Sequence, residues 1–158
     1  MRLTVSRWLI EADPLATGRC YAQLPVGMDC TCCYCRNFDA ARGRTFPAEF
    51  VALLETLGVD PAKPAELCHW CREPSGWYRT GGWFHCVGTI LSGEDAIHWE
   101  GHVGTCRLEE WVPGLELGFT NHLDLVREVF AGLPLVQLEF VTRVPWVLEE
   151  PEPEDDPV

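Results

Sequence analysis

Lysine is almost missing from this chain: Lys63 is the only one in 158 residues, and all basic side chains together number 12 against 24 acidic ones, a formal net charge of −12. Such a surface repels phosphate backbones and lacks the clustered Lys and Arg that non-specific nucleic-acid or anionic-membrane binding requires. No stretch approaches the roughly 18 uninterrupted apolar residues of a membrane helix. The start, Met1 to Glu11, is broken by Arg7 and Glu11 before an apolar run of signal-peptide length develops. A soluble, cytoplasmic protein is expected, in a compartment where disulfides do not persist. Also missing are a Gly-rich phosphate loop, a nucleophile elbow, an internal repeat and an evident acid/base pair.

Cysteine, by contrast, is plentiful. Six of the nine sit in two clusters, Cys30-Thr31-Cys32-Cys33-Tyr34-Cys35 and Cys68-His69-Trp70-Cys71. Each contains a C-x-x-C step, the spacing at which a tight turn points two thiolates at one tetrahedral Zn²⁺. The expected site is a structural Zn²⁺ held by Cys32 and Cys35 with Cys68 and Cys71, Cys30 being a competing ligand and Cys33 pointing elsewhere. Four thiolates would close the coordination sphere and tie the two clusters together. A redox dithiol is the lesser reading, because a thioredoxin-type motif opens directly into a long helix whereas here Pro47 starts the clearest helix more than ten residues later. Cys20, Cys86 and Cys106, isolated in expected strands, suit small buried hydrophobes.

The clearest helix runs over 47–57. Phe46, Phe50, Leu53, Leu54 and Leu57 form one stripe at a period of 3.6, Pro47 suits the first turn and Gly58 the position just past the last. A second helix is expected over 122–131, with Asn121 as N-cap and Gly132 and Pro134 as stops. Strands are expected near 19–24, 82–91, 96–106, 115–120 and 135–142, and a single helical turn over 36–43. The segment 60–71 reads as a loop that delivers Cys68 and Cys71. The fold class is α+β: a mostly antiparallel sheet with two principal helices and a cysteine-rich knuckle. One domain spans 1–148; residues 149–158 hold six of the acidic groups and little apolar surface, and are expected to be a disordered tail.

Cys30-x-Cys32-x-x-Cys35-Arg36-Asn37-Phe38, taken with Val136-Gln137-Leu138-Glu139-Phe140 and Val144-Pro145-Trp146-Val147-Leu148, resembles a group of small uncharacterised bacterial proteins carrying a C-x-C-x-x-C-x-N-F knuckle. The resemblance spans most of the chain and implies a self-contained bacterial domain, without an activity to transfer. Cys68 and Cys71 lie outside the resembling part.

Two further groups compete for a function. On a strand, His98, Glu100 and His102 would share a face and could hold a metal, although the order is not H-E-x-x-H and no P-C-x-x-C partner follows for a deaminase. Arg36, Arg42 and Arg44 beside Asn37 form a basic spot that could read a phosphate or carboxylate, or pair with Asp39 and Glu49. Trp83 and Trp146 suit the core; Trp70, Trp77 and Trp99 suit a pocket or a partner surface. The function these features favour is a small Zn-stabilised binding or interaction protein whose partner is another protein, a basic one suiting the acidic surface. The enzyme alternative uses the cysteine clusters or His98, Glu100 and His102.

Overall fold

The computed structural model describes residues 1–27 and 30–154. Its fold is α+β. Among the described residues nine strands, β1 (Arg2–Val5), β2 (Trp8–Ala12), β3 (Glu66–Arg72), β4 (Tyr78–Ser92), β5 (Ile97–Glu100), β6 (Val103–Cys106), β7 (Glu109–Val112), β8 (Leu115–Thr120) and β9 (Leu135–Val144), accompany helices α1 (Pro14–Tyr21), α2 (Cys33–Thr45) and α3 (Ala48–Thr56). The main sheet is antiparallel in the order β1-β2-β4-β9-β8-β7, with β3 also on β4; β5 and β6 pair only with each other. Among the described residues no helix is long and apolar enough to cross a membrane.

Strand β4 is the spine. Its first half pairs with β3 and its last residues with β2, both along one edge, while β9 runs along the other. Between β3 and β2 the edge of β4 is met by α1 instead of a strand. The hydroxyl of Tyr21 donates to the His85 carbonyl and accepts from its N–H, the Thr17 hydroxyl accepts from the Val87 N–H, and the Asp13 N–H donates to the Val87 carbonyl.

The strand pleat sorts the side chains. Phe84, Leu138, Phe140, Leu117 and Phe119 share one face through the β4–β9–β8 register, and all are buried. The expected helical stripe lands on that face: Phe46 lies 5.2 Å from the Phe140 ring and Phe50 lies 5.8 Å from it, with Phe84 stacked on Phe140 at 5.4 Å. Gly58 ends α3 at φ +74°, and a Cβ there would stand 2.1 Å from the Pro14 carbonyl oxygen, so glycine is required on both counts. The opposite face carries Arg79, Trp83, Gln137, Glu139 and Glu116, with Arg79 and Glu116 paired at 2.8 Å.

Several local expectations are corrected. Residues 19–21 end α1 rather than start a strand; Asp13 caps that helix through the Ala16 N–H at 3.0 Å, and Pro14 occupies its first turn. The single turn expected over 36–43 is a 13-residue helix. The expected second helix over 122–131 reduces to a 3-10 turn, Glu128–Phe130, because Leu125 adopts φ +53° and breaks the run; Asn121 caps nothing, and its N–H donates to Asp95 at 2.9 Å. Residues 96–106 are two strands, folded at Gly101 with φ +63°. Residues 66–72, read as loop, form β3. Trp83 and Trp146 are half-buried rather than fully buried. The beginning of the tail also departs from expectation: Glu150 pairs with Arg36 at 2.6 Å and Glu152 with Arg72 at 2.7 Å, while residues 155–158 lie outside the described part.

Candidate metal centre

The knuckle opens α2. Cys32 is the N-cap, and its sulfur accepts from the Cys35 N–H at 3.5 Å, so a thiol performs the role usually given to Ser or Asp. One turn of helix then brings Cys35 back over Cys32. The sulfurs of Cys30, Cys32 and Cys35 all lie within 4.8 Å of one another, and this group could hold a metal ion. Cys30 and Cys32 are exposed, while Cys35 is only 4% exposed.

The electrostatics separate the thiols. Cys35 is pushed well up by burial first, then by the neighbouring Cys32 and Cys30. Burial also opposes ionisation of Cys32, but donors outweigh it, chiefly the Cys35 N–H with the Cys30 and Cys35 thiols and the Tyr34 N–H, and its thiol is lowered. Cys32 is therefore the more readily ionised of the Cys32–Cys35 pair.

The residues after Cys35 anchor the knuckle. Asn37, 2% exposed, donates from Nδ2 to the Pro145 carbonyl at 2.9 Å and accepts at Oδ1 from the Val147 N–H at 2.8 Å. Phe38 is fully buried against Phe46. The knuckle and the stretch Val144 to Leu148 are thus in direct contact. Arg36 and Arg42 are engaged by Glu150 and Asp39, so the basic spot expected beside Asn37 is largely neutralised.

Cys68 and Cys71 do not join the three knuckle thiols in a mutually close group, and the reason is the strand. In β3 alternate residues face opposite ways, and Cys68 and Cys71 stand in register with Gly81 and Arg79, on the face away from α2. A bulge at Trp70 sets Cys71 on that same side; Trp70 lies over Gly81 and against the Arg79 guanidinium at 6.0 Å. Cys68 lines a cavity of about 190 Å³ with Cys106, Glu139, Trp70, Trp83 and Arg79.

Of the two residues between them, His69 is in register with Thr80 and faces the knuckle. Its Nε2 is 3.7 Å from Cys35 Sγ, its Nδ1 is 3.2 Å from Thr80 Oγ1, and its ring stacks on Tyr34 at 5.6 Å and 28°. Burial pulls the imidazole down to about 4. A Cys–His pair at this distance is the arrangement of a nucleophile and its base, but activation needs an accessible thiolate. Here the thiol is buried and raised and the imidazole is neutral, the states suited to a ligand pair once a metal displaces the thiol proton. Nothing in the Cys68 or Cys71 spacing reveals His69; its approach to the knuckle follows from the alternation of β3, visible only once Glu66–Arg72 is recognised as a strand.

His98, Glu100 and His102 do not converge. His98 and Glu100 are on β5, His102 is exposed in the turn, and the nearest carboxylate to His98 Nε2 is Glu94 at 3.6 Å. Among the described residues the knuckle trio is the one group of three or more His, Cys, Asp or Glu side chains close enough to share an ion. Cys20 and Cys86 are buried as expected, although Cys20 is in a helix, and Cys106 is exposed. The chain matches no family model, no curated protein and no solved structure.

Proposed function

We propose that the protein is a small Zn²⁺-stabilised binding module, with Cys30, Cys32 and Cys35 as ligands and another protein as partner. The observation that carries the metal is the approach of three thiols within 4.8 Å at the mouth of α2. Thiolates select soft or borderline cations over Mg²⁺ or Ca²⁺, and tetrahedral sulfur coordination is characteristic of zinc. The ion ties the start of α2 to its surroundings, a structural role.

A binding role is supported by apolar surface that the fold leaves uncovered. Trp99, 54% exposed, stands on the β5–β6 hairpin, and its ring abuts His122 at 5.1 Å, which is followed in the chain by exposed Leu123, Leu125 and Val126. Exposed Asp124 and Glu128 lie in the same segment of chain, a combination suited to a basic protein surface.

The test is elemental analysis of protein purified without added metal, paired with melting in the presence of a chelator. About one zinc per chain and a lower melting temperature on its removal are expected. Metal-free protein that melts as a fully folded domain would refute the proposal. An open metal position carrying an exchangeable water would turn the reading towards a hydrolase.

A further inference from the structure

We infer that His69 Nε2 is the fourth ligand of the knuckle metal, closing a three-cysteine, one-histidine tetrahedron that joins α2 to the β-sheet. This rests on the reading of Cys30, Cys32 and Cys35 as metal ligands.

The argument is geometric. With Zn–S bonds of about 2.3 Å and a Zn–N bond of about 2.0 Å, a regular tetrahedron has S···S edges of about 3.8 Å and S···N edges of about 3.5 Å. Cys35 Sγ and His69 Nε2 already stand at such an edge, 3.7 Å apart. The three sulfurs lie within 4.8 Å of one another, and His69 is outside that mutually close group. Closure therefore needs the side chains of Cys30 and Cys32, both exposed, to turn towards Nε2, while the two ligands held by the fold stay in place.

The surroundings of the imidazole are those of a ligand. Metal-bound histidines almost always donate their second ring N–H to an oxygen that fixes the tautomer and the ring plane. Thr80 Oγ1 stands 3.2 Å from Nδ1, so with Nδ1–H given to the hydroxyl the lone pair is on Nε2, aimed at Cys35. Thr80 is fully buried in the spine strand, and Tyr34, between Cys33 and Cys35, stacks on the ring. A histidine on β3 is thereby oriented from β4 and from the knuckle itself. Metal binding deprotonates the thiols and releases those protons to solvent, with no change of oxidation state.

The experiment uses the full chain with Co²⁺ or Zn²⁺ alone as probe. X-ray absorption of the wild-type zinc protein is expected to show three sulfur neighbours and one nitrogen. His69→Ala should weaken Zn²⁺ at least tenfold in chelator competition and shift the Co²⁺ absorption; His69→Cys should restore tight binding with a four-sulfur signature; Thr80→Ala should lose roughly 10–100-fold through the outer shell. Cys68→Ser and Cys71→Ser should leave affinity and spectrum unchanged. A four-sulfur wild-type site, or His69→Ala binding within twofold of wild type with the same spectrum, overturns the histidine while leaving the metal. Wild-type protein that binds neither ion overturns the cysteine reading beneath it.

Discussion

Replacing Asn37 with Ala removes two of the bonds that hold the chain after β9 against α2. Asn37 is 2% exposed and satisfies the Pro145 carbonyl at 2.9 Å and the Val147 N–H at 2.8 Å, so truncation strands two backbone groups where water has little access. Each unsatisfied group costs about 1–3 kcal/mol. Because Pro145 and Val147 are themselves half-buried and can recover some water, a total near the lower end, about 2–4 kcal/mol, is expected. For a domain of this size each kcal/mol lowers the melting temperature by about 2–4 °C. The variant should therefore melt very roughly ten degrees lower and lose hydrogen-exchange protection at Val147 first. Asn37→Asp should be worse, since it sets a carboxylate oxygen against the Pro145 carbonyl in place of a donor. Urea denaturation reads the free energy directly. An Asn37→Ala variant within about 0.5 kcal/mol of wild type, the range of ordinary surface changes, would refute the idea that this side chain pins the C-terminal segment.

Phe50→Ala, at a fully buried ring between Phe46 and Phe140, should cost about 3–5 kcal/mol in urea denaturation; a loss under 1 kcal/mol would mean that α3 does not pack as described. Truncation after Leu148 removes the Arg36–Glu150 and Arg72–Glu152 pairs, both solvated and of little worth, so melting should fall by only a few degrees and the difference should vanish in 1 M salt, where the Debye length is about 3 Å; a large, salt-independent drop would show apolar docking of the tail. Asp95 is opposed by burial but held below the usual carboxylate range by the Asn121 N–H, Thr120 and the Ile97 N–H. Its stabilisation is present above the unfolded value and lost as pH falls through the lower folded value, so the Asp95→Asn variant should trail wild type by at most about 1 kcal/mol at neutral pH and converge with it in acid; a gap that widens in acid would contradict this sign.

The parts of the fold legible in the sequence were those whose side chains repeat with the backbone. The stripe Phe46, Phe50, Leu53, Leu54 and Leu57 marks α3 because all five meet the sheet, and the β4, β8 and β9 strands show as β-branched and aromatic runs. Helix α2 was under-read because Arg36, Asp39, Arg42 and Gly43 leave only Phe38 and Ala41 as an apolar face. The signal for α1 was present, with Asp13 as cap and Pro14 in the first turn, but the same pair also spells a chain break. At the site, the turn spacing of Cys30, Cys32 and Cys35 translated into proximity. The C-x-x-C step of Cys68 and Cys71 did not bring those thiols into the same group, because on the bulged strand β3 they stand on the face away from α2 while His69 faces the knuckle. Whether a spacing means a ligand pair thus depends on the backbone beneath it, which the cysteines themselves do not encode.

Helix α1 occupies the stretch of β4 between β3 and β2, where His85 and Val87 offer two N–H groups and two carbonyls outward. An edge in that state is a template for another chain, and Thr17, Tyr21 and Asp13 act as a stopper in it. Substituting Tyr21 or Thr17 would therefore cost more than their hydrogen bonds: it would open a notch one strand-segment wide, flanked by intact ladder on both sides, into which an extended peptide from a second molecule could dock by main-chain pairing. At this margin the open backbone of β4 is closed by two hydroxyls rather than by the charged residues that usually guard sheet edges.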